Sequence, residues 1–178
     1  SLMKMDVHLM VNNIDLALAH LKNVENVEYI SFHIGENENN SLHIIDKIHS
    51  INKKAGVVFN LSTDINKLDD LIEDDEIDSI MFMGIHPGVL RQTSRPNLVL
   101  KKLRHVNKLL EGKKCAKFIQ IDGGVSFDSI PNLVAAGATN LICGSSTLYK
   151  GVNHLNDWKV NQELIKQNFN KIKNFIKI

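Results

Sequence analysis

Six times along this chain a short run of β-branched and apolar residues gives way to a longer segment with helical spacing, and no other feature limits the fold as much. "MDVHLMV" (5–11) leads to "IDLALAHLKNV", "VEYISFHIG" (27–35) to "SLHIIDKIHSINKKA", and "GVVFNLS" (56–62) to "DINKLDDLIEDD". The second half repeats the pattern: "DSIMFMGI" (78–85), "KFIQIDGG" (117–124) and "NLICGSS" (140–146) each precede a helical stretch, the last near 153–176. Strands alternating with helices at roughly 25 to 30 residues specify βα units laid into a parallel sheet, an α/β fold of six units.

A chain of 178 residues with 43% hydrophobic content can bury one sizeable core, and no Pro/Gly/Ser-rich linker divides it, so one domain over 1–178 is expected. A net charge of +1 supplies no field to recruit nucleic acid or an anionic membrane, which leaves a small, locally recognised ligand. Cys115 and Cys143 have no metal-knuckle or disulfide spacing, and no run is long and apolar enough to span a membrane; both point to a cytoplasmic protein. The acid run "EDDEID" reads as a solvated helix end, and the amphipathic C-terminal segment as a helix covering the sheet.

Functional groups in parallel α/β folds collect at the carboxyl ends of strands. There the sequence places His8, His33, Asn60, the "GIHPG" turn at 84–88, Asp122 with Gly123 and Gly124, and Gly144 with Ser145. Side chains alternate along a strand, so Asp6, His8 and Met10 share one face, Ser31 and His33 another, and Gln120 and Asp122 a third. If these faces line one interior, its mouth is polar. Small residues directly after a strand let backbone N–H groups and a helix N-terminus approach an anion, so the DGG and GSS turns are candidate phosphate cradles.

The segments "DVHLMV", "ISFHIGE", "GVVFNLST", "MFMGIHPGVLRQ", "IQIDGGV" and "AGATNLICGSSTLYK", in this order, resemble the ribulose-phosphate 3-epimerase family. The resemblance runs from Asp6 to about Lys150. It implies a TIM-type (β/α)8 barrel that interconverts pentulose 5-phosphate epimers at C3 through an enediolate, in pentose phosphate metabolism. Two acids on opposite faces of the sugar and a divalent metal, zinc or iron, serve that chemistry in the family. Carried over by position, His8 is a metal ligand, Asp122 is both ligand and catalytic acid or base, and Gly88, Gly124, Gly144 and Ser145 contact phosphate.

The resemblance also shows what is altered. Six βα units are recognisable, and the family's first two, roughly 60 residues at about 30 per unit, are expected to be missing ahead of Met5. A metal histidine and the second catalytic acid go with them. Only His8 and Asp122 then remain as ligands, so metal is expected to bind weakly or not at all, unless His33 or His86 assists. In the sixth-strand loop, Leu90 and Arg91 stand where the family carries glycines, and Arg91 offers a charged contact instead. Open sheet edges imply a homodimer or higher homo-oligomer, or coverage by the C-terminal helix. The alternative to an epimerase is an impaired relative that binds a phosphorylated sugar or a protein partner without turnover.

Overall fold

The computed structural model describes residues 3–35, 40–72, 77–87, 95–113, 116 and 118–176. Six strands, β1 (Met5–Leu9), β2 (Val27–His33), β3 (Lys54–Phe59), β4 (Ser79–Met83), β5 (Phe118–Asp122) and β6 (Asn140–Leu141), form one all-parallel sheet in sequential order. Between and after them come α1 (Ile14–Leu21), α2 (Ser41–Ser50), a 3-10 turn (Ile65–Leu68) leading into α3 (Asp69–Ile72), α4 (Pro96–Leu109), α5 (Ile130–Ala135) and α6 (Trp158–Ile176).

Local chemistry marks the helix ends. Asn13 caps α1 by accepting from the Leu16 amide, and Pro96, lacking an N–H, opens α4 where no intrahelical partner exists for one. The helical spacing of "SLHIIDKIHSINKKA" predicts one helix, but α2 stops at Ser50. Asn52 takes a left-handed backbone, φ 56°, which an asparagine tolerates at a helix end, and the chain has re-entered the sheet by Lys54.

Alternation along the strands sorts the side chains into two environments. The convex face carries Val7, Leu9, Ile30, Phe32, Val57, Phe59, Ile80, Phe82, Ile119 and Ile121, packed beneath the helices in the main core. The concave face carries Asp6, His8, Ser31, His33, Gly56, Val58, Ser79, Met81, Met83, Gln120 and Asp122. Among the described residues, Val58, Met81 and Met83 form the apolar cluster there. The sheet curls enough for β1 and β5, four strands apart in the ladder, to touch across this face: Gln120 Nε2 donates to Asp6 Oδ2 at 2.7 Å. That curl with helices on the outside is the architecture of a β/α half-barrel.

β6 is shorter than the expected 140–146, pairing only Asn140 and Leu141 before a turn. α6 packs chiefly on α5, with Phe127 and Phe175 ring centroids 6.5 Å apart, and Asn168 donates to the Leu148 and Lys150 carbonyls beyond β6. The outer edge of β1 has no strand partner among the described residues.

Candidate active site

The concave face is built in layers. Lowest, at the amino ends of the strands, Lys54 donates to Glu28 at 2.6 Å and lies over the Tyr29 ring, which meets Phe118 edge-on. Lys54, and Lys4 after it, hold the Glu28 carboxyl down at about 2; Glu28 in return raises the Lys54 ammonium.

The middle layer is a hydrogen-bonded belt. Asp6 accepts from Ser31 Oγ at 3.3 Å and from Gln120 Nε2, while Gln120 Oε1 accepts from Asn140 Nδ2 at 2.9 Å. Gly56 belongs here because a Cβ would lie 2.3 Å from Ser31 Oγ and 2.5 Å from Ser79 Oγ. Period two placed Asp6, Ser31 and Gln120 on shared faces, but Asn140 as a member of the belt was not foreseen.

The upper layer holds the acid. One residue pair further along β1 and β5, His8 and Asp122 repeat the Asp6–Gln120 juxtaposition, with His8 Nδ1 3.4 Å from Asp122 Oδ2. His33, 7% exposed, places its Nε2 2.9 Å from His8 Nε2, and the two rings stack with centroids 4.9 Å apart. Asp122 remains partly open, its side chain 26% exposed. Its backbone carbonyl accepts from the Gly84 amide at 2.7 Å, and a Cβ on Gly84 would come within 2.1 Å of the Gly123 carbonyl oxygen. Gly123 and Gly124 follow with φ of 86° and 69°, left-handed values suited to glycine, turning the chain away while the carboxylate faces inward.

The glycine turns are placed less compactly. Gly124 lines a cavity of about 270 Å³ between α4 and α5, with Asn97, Ser126, Ser129 and Asn132, but Gly144 and Ser145 do not line it. They sit exposed after β6, with open space where a Gly144 side chain would stand. No hydrogen bond among the described residues uses the amide of Gly124, Gly144 or Ser145. His86 is exposed in the turn after β4. Gly88, Leu90, Arg91 and Cys115 lie outside the described residues.

One group escaped sequence reasoning altogether. Lys102 of α4, 8% exposed, donates to the carbonyls of Asn60, Leu61 and Thr63 at 2.8, 3.1 and 2.7 Å, pinning the loop that leaves β3. Burial pushes its ammonium below the ordinary lysine value, and the Asp64 carboxylate opposes that shift. The available signal was its position on the stripe of Val99, Leu103 and Val106, where an apolar residue is expected.

A curled parallel sheet with a carboxylate and histidines at its strand ends defines a TIM-type β/α barrel protein with a polar site inside the sheet. A tryptophan synthase α-subunit variant from Pyrococcus furiosus shares the fold with a TM-score of 0.65 at 15% identity, over 98% of this chain and 67% of that one. The Ribulose-phosphate 3 epimerase family model matches residues 1–148. Among similar proteins, the ribulose-phosphate 3-epimerase of Serratia marcescens is 37% identical over 143 residues, covering 79% of this chain and 65% of the relative. That of Buchnera aphidicola subsp. Acyrthosiphon pisum is 33% identical over 152 residues, covering 84% and 63%. The chain belongs to the ribulose-phosphate 3-epimerase family, and it spans less than two thirds of the length of these two relatives. No described helix is long and apolar enough to cross a membrane.

A divalent metal can be tested against the donors. Two ligands each about 2.1 Å from one tetrahedral ion lie about 3.4 Å apart, and His8 Nδ1 and Asp122 Oδ2 are separated by 3.4 Å. The pair fits one ion, although no group of three or more His, Cys, Asp or Glu residues converges as a metal site among the described residues.

Proposed function

We propose that this chain binds a pentulose 5-phosphate on the concave face and that Asp122 removes or returns the proton at C3, the chemistry of a ribulose-phosphate 3-epimerase. The observation that carries the reading is the Asp122 carboxylate, partly open at the end of β5 and directed to His8 across the curled sheet. A carboxylate so placed can act as general base toward a carbon acid and as general acid toward the enediolate. The amides of Gly124, Gly144 and Ser145, without a partner among the described residues, support a role in holding the phosphate; Gly88 and Arg91 join the proposed phosphate site by sequence position alone.

A zinc or iron ion held by His8 and Asp122 would act as a Lewis acid toward the developing oxyanion. With two ligands from the described residues, its binding to this chain alone is weak. Inversion at C3 needs a proton-transfer group on each face. Asp122 is the carboxylate in the upper layer among the described residues, so epimerisation is slow relative to the two relatives above. The open β1 edge supports a homodimer or higher homo-oligomer of one-domain chains, and a cytoplasmic setting suits a sugar phosphate.

The test is conversion of ribulose 5-phosphate to xylulose 5-phosphate by the purified chain supplied with Zn2+ or Fe2+. Slow, saturable conversion is expected. Absence of both conversion and sugar-phosphate binding would refute the reading.

A further inference from the structure

Asn60, at the carboxyl end of β3, takes no part in the hydrogen bonds of the belt, and its side chain is at odds with the fold around it. Its Oδ1 is buried and has no hydrogen-bond partner among the described residues. A buried acceptor without a partner is a net cost to folding, and an apolar residue of the same shape would avoid it. The residue is nevertheless anchored where it stands, because its carbonyl accepts from Lys102 Nζ at 2.8 Å and from the Thr63 amide at 3.2 Å.

The register gives the side chain its direction. Val58 lies on the concave face opposite Met81, so Asn60, two residues on, returns to that face opposite Met83. Met83 is in turn paired with Asp122. Asn60 therefore stands in the row of Asp122, two strand spacings or about 10 Å away, on the side of β5 opposite β6 and its Gly144–Ser145 turn. A pentulose 5-phosphate with C3 at Asp122 and its phosphate toward that turn extends its C2–C1 end toward β4 and β3. A contact of about 3 Å from the carboxylate to C3, about 4 Å of extended chain from C3 to the C1 oxygen and a hydrogen bond of about 3 Å fill the distance.

We propose that Asn60 is a specificity-determining residue whose carboxamide hydrogen-bonds the C1 hydroxyl of the bound sugar phosphate. The proposal rests on the reading of Asp122 as the group at C3. A hydroxyl both donates and accepts, so it pairs with either end of a carboxamide. With its backbone anchored and its Oδ1 free of any internal partner, Asn60 forms that bond at little loss elsewhere. The polar side chain that the fold leaves unpaired is completed by the ligand.

Xylulose 5-phosphate and 1-deoxyxylulose 5-phosphate differ only in the C1 hydroxyl. Calorimetry should give the Kd of each for the parent, Asn60→Leu and Asn60→Asp, together with the Tm of each ligand-free protein. The parent should bind the hydroxylated sugar about 10-fold more tightly. Asn60→Leu keeps the branched skeleton without a polar atom; it should bind the two sugars equally, with a Tm equal to the parent's or up to about 4 °C above it. Asn60→Asp keeps an acceptor and should retain the preference, since its charge acts on both ligands alike. Equal binding of the two sugars by the parent, a preference that survives in Asn60→Leu, or one lost in Asn60→Asp would overturn the proposal while leaving the Asp122 reading intact. A lower Tm for Asn60→Leu would also overturn it, because the carboxamide would then be serving the fold. Binding of neither sugar by the parent would refute the Asp122 reading, and the proposal with it.

Discussion

Replacing Lys102 with methionine keeps the packed stem and removes the ammonium, so it isolates what the cation does for the loop after β3. Three carbonyls lose a charged donor, and the bonds to Leu61 and Thr63 are the buried ones, whereas the Asn60 carbonyl is near enough to solvent to find water. A buried acceptor left without a partner costs about 1 to 3 kcal/mol, so two of them cost about 2 to 6 kcal/mol. Removing the ammonium also removes the penalty of burying it, which acts in the opposite direction and brings the net loss to about 2 to 4 kcal/mol. For a chain of this size that is a fall in Tm of about 4 to 16 °C. Urea and thermal unfolding followed by circular dichroism would measure it. A Lys102→Met protein as stable as the parent, or more so, would show that the loop carbonyls are satisfied without the lysine.

Two further outcomes follow from the lower layers of the concave face. Because the Glu28 carboxyl is held at about 2, below its ordinary value of 4.5, its stabilising contribution is present above pH 4.5 and is lost as pH falls toward 2. The Tm gap between the parent and Glu28→Gln should therefore close across that window, and a gap constant from pH 7 to pH 2 would contradict the assignment. Gln120→Leu removes the hydrogen bonds to Asp6 Oδ2 and Asn140 Nδ2, whose residues are exposed enough to find water, and should cost about 0.5 to 1.5 kcal/mol per bond in urea unfolding; a neutral substitution would mean that the belt does not hold the curl.

The βα alternation was legible because the strands are short β-branched and apolar-rich runs of period two and the helices carry an apolar stripe, two periods that differ along the chain. The concave lining was legible for the same reason: once Asp122 faces inward, Gln120 must too. What period two cannot provide is curl and register. That Asp6 meets Gln120, 114 residues away, depends on how far the whole sheet bends, which no local pattern records. Lys102 was hidden because its partners are backbone carbonyls 39 to 42 residues distant, which have no residue type to read. The early stop of α2 was signalled by Asn52, but an asparagine inside a helical pattern is ambiguous until its φ is known.

The central claim is that Asp122 exchanges a proton with C3 of a pentulose phosphate. A single acid–base group can take a proton from one face and return a solvent-derived one to the same face, even where inversion is slow for lack of a second group. Incubating the protein with ribulose 5-phosphate in D2O and following C3 by NMR reads that half-reaction directly. Deuterium should enter at C3 faster than xylulose 5-phosphate forms, and Asp122→Asn should slow its entry by about 10²- to 10⁴-fold. Exchange at an undiminished rate in Asp122→Asn, or no exchange in the parent protein with sugar phosphate bound, would contradict the claim.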